Sequence, residues 1–212
     1  MLPAGTRPAR AERPYERRRT RPIVLTTAAL AVLAVLTWTV VLGTASDGPG
    51  ATDCPAPATG TLAGTEIDRA ALAATAPDAP EDVRFHVLNA GGQRGQANLV
   101  SAELKDLQFG EAGTPGNDPA FPDGDLDCIG QMRFGPSGEA AASALALALP
   151  CVELVRDDRR EAVVDVVVGS SFTDVAPGRA ARDALDQLSA PGTEGGPRAD
   201  PNVLEQARQG VC

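Results

Sequence analysis

Residues 84–97 read RFHVLNAGGQRGQA, and this stretch decides the fold. In its first part, residues 84–88, large apolar and polar side chains alternate, a pattern that predicts a strand. Residues 89–92 then supply Asn and Gly, which break a strand. From residue 96 to residue 107 the apolar side chains recur at helical spacing. The stretch therefore predicts a strand, a glycine-containing turn and a helix in direct succession.

The sequence that follows repeats this alternation of strands and helices. The further predicted elements are a strand opening at Phe109, a strand at 128–134, a helix at 139–149, and strands at 151–155 and 162–168 that form a hairpin. The resulting order is β-α-β-β-α-β-β. Strands that alternate with helices predict an α/β fold, here a small mixed sheet covered by helices.

The composition limits the classes of partner. The 212-residue chain is 43% apolar but only 3% aromatic, and its formal net charge is −9. An acidic chain is a poor match for the phosphate backbone, so no nucleic-acid partner is expected. The charge is also unevenly spread, because residues 1–22 carry seven Arg and two Glu whereas residues 23–43 carry no charge.

The uncharged segment predicts a membrane anchor. Residues 23–42 read IVLTTAALAVLAVLTWTVVL, which as a helix would span about 30 Å of hydrocarbon. Arginines precede this segment, and no Lys or Arg follows it before Arg69. By the positive-inside rule the N-terminus is then cytoplasmic and the C-terminal part extracytoplasmic, in a single-pass protein of the cell membrane. A signal peptide cleaved near residues 43–45 stays an alternative.

These observations give a domain organisation for the whole chain. The predicted parts are a basic cytoplasmic tail at 1–22, a transmembrane helix at 23–43, an Ala/Pro-rich spacer at 44–80, an extracytoplasmic domain at 81–174 and a C-terminal tail at 175–212. The tail has two short helical patterns, which could dock on the domain or bind a partner.

The turn after the first strand is the candidate ligand-binding site. Its residues are Asn89, Gly91, Gly92, Arg94 and Gly95. A glycine-rich turn between a strand and a helix can hold a phosphate group on backbone N–H groups, and Arg94 would add a positive charge. The alternative is that the glycines serve only the steric needs of a tight turn.

Other motifs do not support catalysis or metal binding. The acidic run at residues 123–127 lacks the Gly and Glu that an EF-hand requires, so it is interpreted as a solvated loop. Residues 169–172 lack the second glycine of a nucleophile elbow. His86 is the only histidine. The sequence therefore predicts no enzyme activity, no catalytic residue, no cofactor and no metal.

The four cysteines all follow the uncharged segment, and none is spaced as CxxC. They are Cys54, Cys128, Cys151 and Cys212. An even number of cysteines outside the cytoplasm predicts two disulfides rather than a zinc or redox site.

Several segments together resemble the LytR C-terminal domain family. They are residues 87–97 (VLNAGGQRGQA), Phe109, residues 133–142 (RFGPSGEAAA) and residues 165–169 (DVVVG). The resemblance covers about residues 82–173. Ala90 stands where the family usually has Gly, and residues 111–127, called the insertion below, look like an addition to the family pattern.

The resemblance implies a function as well as a fold. In its best-known setting the family domain follows a catalytic LytR-CpsA-Psr domain, but the spacer at 44–80 is too short to be one. The chain therefore resembles single-pass cell-envelope-integrity proteins of high-GC Gram-positive bacteria. The implied role is non-catalytic support of the envelope, with wall-building proteins or the wall polymer as partners. The alternative is a binding module for a phosphorylated lipid carrier or wall glycopolymer.

The predicted strand order also ranks the disulfides. Cys128 and Cys151 each open a strand, with one helix between them. If those strands are parallel neighbours, both starts lie at one sheet edge about 5 Å apart, which suits a disulfide. Of the three possible connectivities, we therefore expect Cys128–Cys151 and Cys54–Cys212.

Overall fold

The computed structural model describes residues 20–44, 53–58, 64–190 and 199–209, with side chains in the first segment described at 22–35 and 37. The chain divides into two compact units, Met1–Gly48 and Pro49–Cys212. Each unit is described by itself.

The first unit contains helix α1 (Thr20–Thr44). Its described apolar side chains, such as Ile23 and Leu25, are exposed. Among the described residues, no helix combines the length and the apolarity needed to cross a membrane. The predicted transmembrane helix is therefore wrong for the residues described.

The second unit begins its central fold with the predicted strand, turn and helix. Strand β2 (Arg84–Asn89) is followed by helix α3 (Gln96–Asp106). Val100 and Leu104, one turn apart on α3, are fully buried, as the helical spacing predicted. Short strands β3 (Gly110–Glu111) and β4 (Gly116–Asn117) follow.

A second strand–helix unit comes next in the chain. Its elements are strand β5 (Gly130–Phe134), a 3₁₀ turn (Pro136–Gly138), helix α4 (Glu139–Ala148), strand β6 (Glu153–Arg156) and strand β7 (Val163–Val168). Pro150 follows α4 closely and cannot continue it, since proline lacks the N–H that a helix interior uses.

Segments on either side of this central fold complete the second unit. They are strand β1 (Thr65–Glu66), helix α2 (Arg69–Ala73), a 3₁₀ turn (Pro80–Asp82), helix α5 (Arg179–Ser189) and helix α6 (Pro201–Arg208). Leu72, Leu188 and Ala207 from these helices are buried in the main core.

Seven strands, all those among the described residues, form one mixed sheet. The order is β1-β6-β5-β7-β2-β3, and β4 also pairs with β2. Strand β2 is parallel to β3, β4 and β7, and β5 is parallel to β6. The β5–β7 and β1–β6 pairs are antiparallel. The predicted mixed sheet with helices is therefore confirmed.

The predicted hairpin between β6 and β7 is wrong, because β5 lies between them and pairs with both. Helix α4 connects β5 to β6 as parallel neighbours, in the usual manner of a strand–helix–strand crossover. The charged segment after β6 then passes the end of β5, where the Asp157 N–H donates to the Phe134 carbonyl at 2.9 Å.

The two faces of the sheet bury different apolar clusters. On β7, Val164 and Val166 belong to the main core with the helices, whereas Val167 points to the opposite face. The opposite cluster consists of Leu88, Ala90, Phe121, Leu126, Cys128 and Val167. Helices thus cover one face, and the insertion covers part of the other.

One disulfide, Cys54–Cys128, is found among the described residues, with a Cα–Cα distance of 5.1 Å. The expected Cys128–Cys151 and Cys54–Cys212 pairs and the two-disulfide fold are therefore wrong; Cys212 lies outside the described residues. The β5–β6 register sets Gln131 opposite Glu153, so its continuation sets Cys151 opposite residue 129. A shift of one residue turns the Cys128 side chain to the other face, where it is fully buried.

The position of this disulfide matters because it closes a long loop. Cys54 and Cys128 are 74 residues apart in sequence. On the chain-entropy model a loop of this length stabilises the fold by about 4 kcal/mol. The bond also fixes the C-terminal end of the insertion beside strand β5.

Candidate functional site

The predicted site residues lie together in the turn between β2 and α3. The Asn89 side chain donates to the Gln93 carbonyl at 2.8 Å, and its Oδ1 accepts from the Gly91 N–H at 3.2 Å. Gly95 directly precedes α3, with φ +83° and no side-chain cap. Asn89 therefore shapes the turn from within, while the Arg94 side chain is exposed.

Two close backbone contacts explain why glycine is needed in this turn. A Cβ on Gly91 would lie 2.3 Å from the carbonyl carbon of Gly169, which follows β7. A Cβ on Gly124, in the insertion, would lie 2.5 Å from the Cα of Gly92. Gly92 and Gly124 also have positive φ angles of 74° and 69°. The turn is therefore packed directly against two other backbone segments.

The turn and the insertion together form a groove of about 280 Å³. Its lining is contributed by Asn89, Gly92, Arg94, Asn117, Phe121, Pro122, Asp123 and Gly124. Three of the five predicted ligand-binding residues thus line one cavity. The sequence reasoning missed the opposite wall, which comes entirely from the insertion, including its strand β4.

A buried charge network holds the insertion on the sheet. Asp118 Oδ2 lies 2.8 Å from Arg133 Nη2, and both side chains are almost fully buried. This oxygen has no hydrogen-bond donor in good geometry among the described residues, so charge attraction compensates its burial. Asp118 Oδ1 accepts from the Ala120 N–H at 3.0 Å. The Arg133 guanidinium also lies 5.8 Å from the centre of the Phe121 ring.

The network continues across the sheet. The Arg133 Nη2 donates to Gln131 Oε1 at 2.8 Å, and Gln131 Nε2 donates to Glu153 Oε2 at 2.6 Å. An arginine inside a predicted strand was the available sequence signal, because a buried charge requires a partner. No local pattern distinguishes Asp118 as that partner from the other acids of the insertion.

Glu153 makes the stability of this network depend on pH. Burial raises its pKa above 4.5, the Gln131 hydrogen bond lowers it, and the charges of Glu66 and Asp53 raise it. With the raised pKa, the folded state binds the proton more tightly than the unfolded chain. This contribution to stability is therefore present below pH 4.5 and lost as the pH rises through the folded pKa.

We expect Glu153→Gln to reduce this loss, because glutamine cannot ionise yet can still accept from Gln131. In urea unfolding at pH 4.5, 5.5 and 7, the variant should gain stability relative to wild type as the pH rises. The matched control is Glu161→Gln, at an exposed carboxylate. A Glu153→Gln difference that stays constant with pH would contradict the assignment.

His86 is held by structural contacts. Its Nδ1 lies 3.6 Å from Asp165 Oδ1, and its Nε2 lies 3.0 Å from the Thr114 carbonyl oxygen. The Ser170 hydroxyl donates its hydrogen bond to Asp127 Oδ1 at 2.8 Å and not to His86. The histidine therefore ties the insertion to the sheet, with both ring nitrogens facing acceptors.

The acidic run of the insertion divides into buried and exposed parts. Asp123, Asp125 and Asp127 are exposed, in agreement with a solvated loop, whereas Phe121 and Leu126 are buried. Over the residues that the structure describes, no group of three or more His, Cys, Asp or Glu side chains could hold a metal ion.

The fold and the groove define a small α/β domain in which a strand–turn–helix unit carries the candidate site. Residues 82–172 match the model of the family described as LytR cell envelope-related transcriptional attenuator, and the chain belongs to this family. The resemblance found in the sequence is thus confirmed.

Two related proteins extend this comparison. The Cell envelope integrity protein Cei of Mycobacterium tuberculosis is 36% identical over 205 residues, which is 94% of this chain and 93% of that protein. The crystal structure of the soluble domain of a conserved hypothetical secreted protein from Mycobacterium marinum is 37% identical. It matches with a TM-score of 0.64 over 71% of this chain and 99% of that one.

Proposed function

We propose that this protein supports the integrity of the cell envelope from the extracytoplasmic side, without catalysis, through contacts with wall-building proteins or with the wall. The observation that carries the proposal is the similarity to the Cell envelope integrity protein over nearly the full length of both chains. A match of that extent includes the segments on both sides of the family domain, so it concerns the arrangement of the whole protein.

Two features of the fold support this proposal. The Cys54–Cys128 disulfide suits an oxidising compartment outside the cytoplasm. Charged side chains of the domain bind one another, as shown by the Asp118–Arg133 and Arg159–Asp165 ion pairs. Such pairing favours a stable binding domain over a set of reactive groups.

A deletion strain provides the direct test of this function. Loss of the gene should raise the sensitivity of cells to detergent, and the wild-type copy should restore resistance. In-cell crosslinking of the restored strain should then recover wall-building proteins or wall fragments. Unchanged detergent sensitivity in the deletion strain would overturn the proposal.

The groove favours a second candidate function, a binding module for a phosphorylated lipid carrier or wall glycopolymer. Asn89, Gly92 and Arg94 line one side of this groove, and Asn117 and Asp123 line the other. Polar groups that converge in a preformed cavity are typical of ligand sites.

We expect Arg94→Glu to weaken binding to the wall about tenfold or more, because it replaces a cationic donor with an anion. The measurement is co-sedimentation of the oxidised full-length protein with cell walls stripped of protein. Arg179→Glu is the matched control, since Arg179 is another exposed arginine beside a glycine-capped helix start. Equal binding by both variants and wild type would exclude the groove, and absence of saturable binding would favour a protein adaptor.

A further inference from the structure

We infer that the groove between the β2–α3 turn and the insertion binds a saccharide, and that Asn117 and Asp123 of the insertion side recognise it. This inference rests on the second candidate function above and names the ligand class for that same site. The supporting observation is the chemistry of the exposed polar side chains on the two walls of the groove.

The two walls are joined by the backbone before any ligand arrives. The Asp118 N–H donates to the Asn89 carbonyl at 2.9 Å, and the Leu126 N–H donates to the Ala90 carbonyl at 3.0 Å. Between these bonds, Gly92 and Gly124 approach too closely for a Cβ on Gly124. The groove is therefore preorganised, which lowers the entropy lost on binding.

The polar side chains of the groove fall into two groups. Asn89 is occupied by bonds within its own turn. In contrast, Arg94, Asn117 and Asp123 are exposed, and no hydrogen bond or ion pair joins their side chains to any described residue. Nearby charged groups such as Asp118 and Asp127 do have partners. The three unbonded side chains are thus those available to a ligand.

The chemistry of these three unbonded side chains favours hydroxyl groups over phosphate as the ligand. Arg94 only donates hydrogen bonds, Asp123 only accepts them, and Asn117 does both. A sugar hydroxyl both donates and accepts, so it can use all three groups. A phosphate would place its negative charge in the same small groove as the Asp123 carboxylate, which is unfavourable.

The size and apolar content of the groove agree with this ligand class. A volume of about 280 Å³ lies just below the roughly 300–1,000 Å³ of pockets for drug-sized ligands, and it suits one or two sugar rings. Pro122 is exposed in the lining and offers C–H surface to the apolar face of a ring.

The test is calorimetric titration of the full-length protein with two probes. The first is a mixture of soluble oligosaccharides released from purified cell walls, and the second is inorganic pyrophosphate. We expect heat of binding from the oligosaccharides only. Asp123→Asn and Asn117→Ala should each weaken oligosaccharide binding about tenfold, whereas Asp183→Asn, at an exposed carboxylate on α5, should leave it unchanged.

Each contrary result has a defined meaning. Binding of pyrophosphate in preference to oligosaccharides would overturn the ligand class, and absence of oligosaccharide binding would overturn the saccharide site. Wild-type protein, measured for oligosaccharide binding and for restoration of the deletion strain, separates this inference from the proposed function. If wild type binds no oligosaccharide but restores detergent resistance, the saccharide site fails while the envelope function stands. If wild type binds oligosaccharide without restoring resistance, the saccharide site stands while the envelope function fails.

Discussion

Replacing Asp118 with alanine is expected to lower the free energy of unfolding by about 3–5 kcal/mol, the usual cost of leaving one member of a buried ion pair without its partner. The Arg133 guanidinium would remain buried at the sheet, with Gln131 as its remaining hydrogen-bond acceptor. The Ala120 N–H would also lose its hydrogen-bond acceptor, the Asp118 carboxylate. Urea unfolding of the purified protein at neutral pH measures this effect.

The double variant Asp118→Leu with Arg133→Met is the informative control. It removes both charges and fills their space with apolar atoms, a change that is often neutral or stabilising in buried pairs. Most of the lost stability should therefore return. A single Asp118→Ala variant as stable as wild type would show that the pair does not hold the insertion on the sheet.

Gly91→Ala is the second substitution with a large expected effect, a loss of about 2–3 kcal/mol of unfolding free energy. The added methyl would lie 2.3 Å from the Gly169 carbonyl carbon and 2.5 Å from the Ser170 nitrogen. These atoms belong to the backbone after β7 and cannot rotate away, so the contact acts as overpacking. Thermal and urea unfolding would both report the loss.

Gly116→Ala provides the matched control for this substitution. A Cβ on Gly116 has open space around it, with no atom within 4 Å, and the residue lies in β4 near the same groove. We expect it to change stability by less than about 0.5 kcal/mol. If both variants lose the same stability, the close approach of the turn to Gly169 is not the cause.

These two predictions concern the supports of one groove. Asp118 fixes the insertion, which forms one wall, and Gly91 fixes the turn, which forms the other. Because both supports lie outside the set of side chains available to a ligand, their loss should reduce binding through the shape of the groove. The ligand-facing variants at Arg94, Asn117 and Asp123 should instead reduce binding while leaving stability near that of wild type.

Much of the fold was predictable because its elements have strong local patterns. The strand at 84–88, the helix beginning at Gln96 and the helix beginning at Glu139 all follow from periodicity and turn residues. The family resemblance followed from the order of the same segments. The candidate turn was found because glycines between a strand and a helix are a local signal as well.

Two of the errors arose where a distant segment competes for a position. β6 and β7 follow each other in sequence, yet β5 separates them in the sheet. The strands that follow Cys128 and Cys151 are parallel neighbours, as expected, but both cysteines lie before the strands, and the register and the second apolar cluster direct Cys128 to Cys54. The apolarity of residues 23–43 suggested a membrane crossing that the described helix does not support.

The sequence by itself determined the order and type of the central strands and helices other than β4, the position of the glycine turn and the family. Only the tertiary structure decided the strand order, the cysteine partner, the second wall of the groove and which acids are buried. The physical reason is that periodicity and turn preference act over a few neighbouring residues. Sheet register, ion pairing and burial depend on groups far apart in the chain, and a local pattern holds no information about which of them meet.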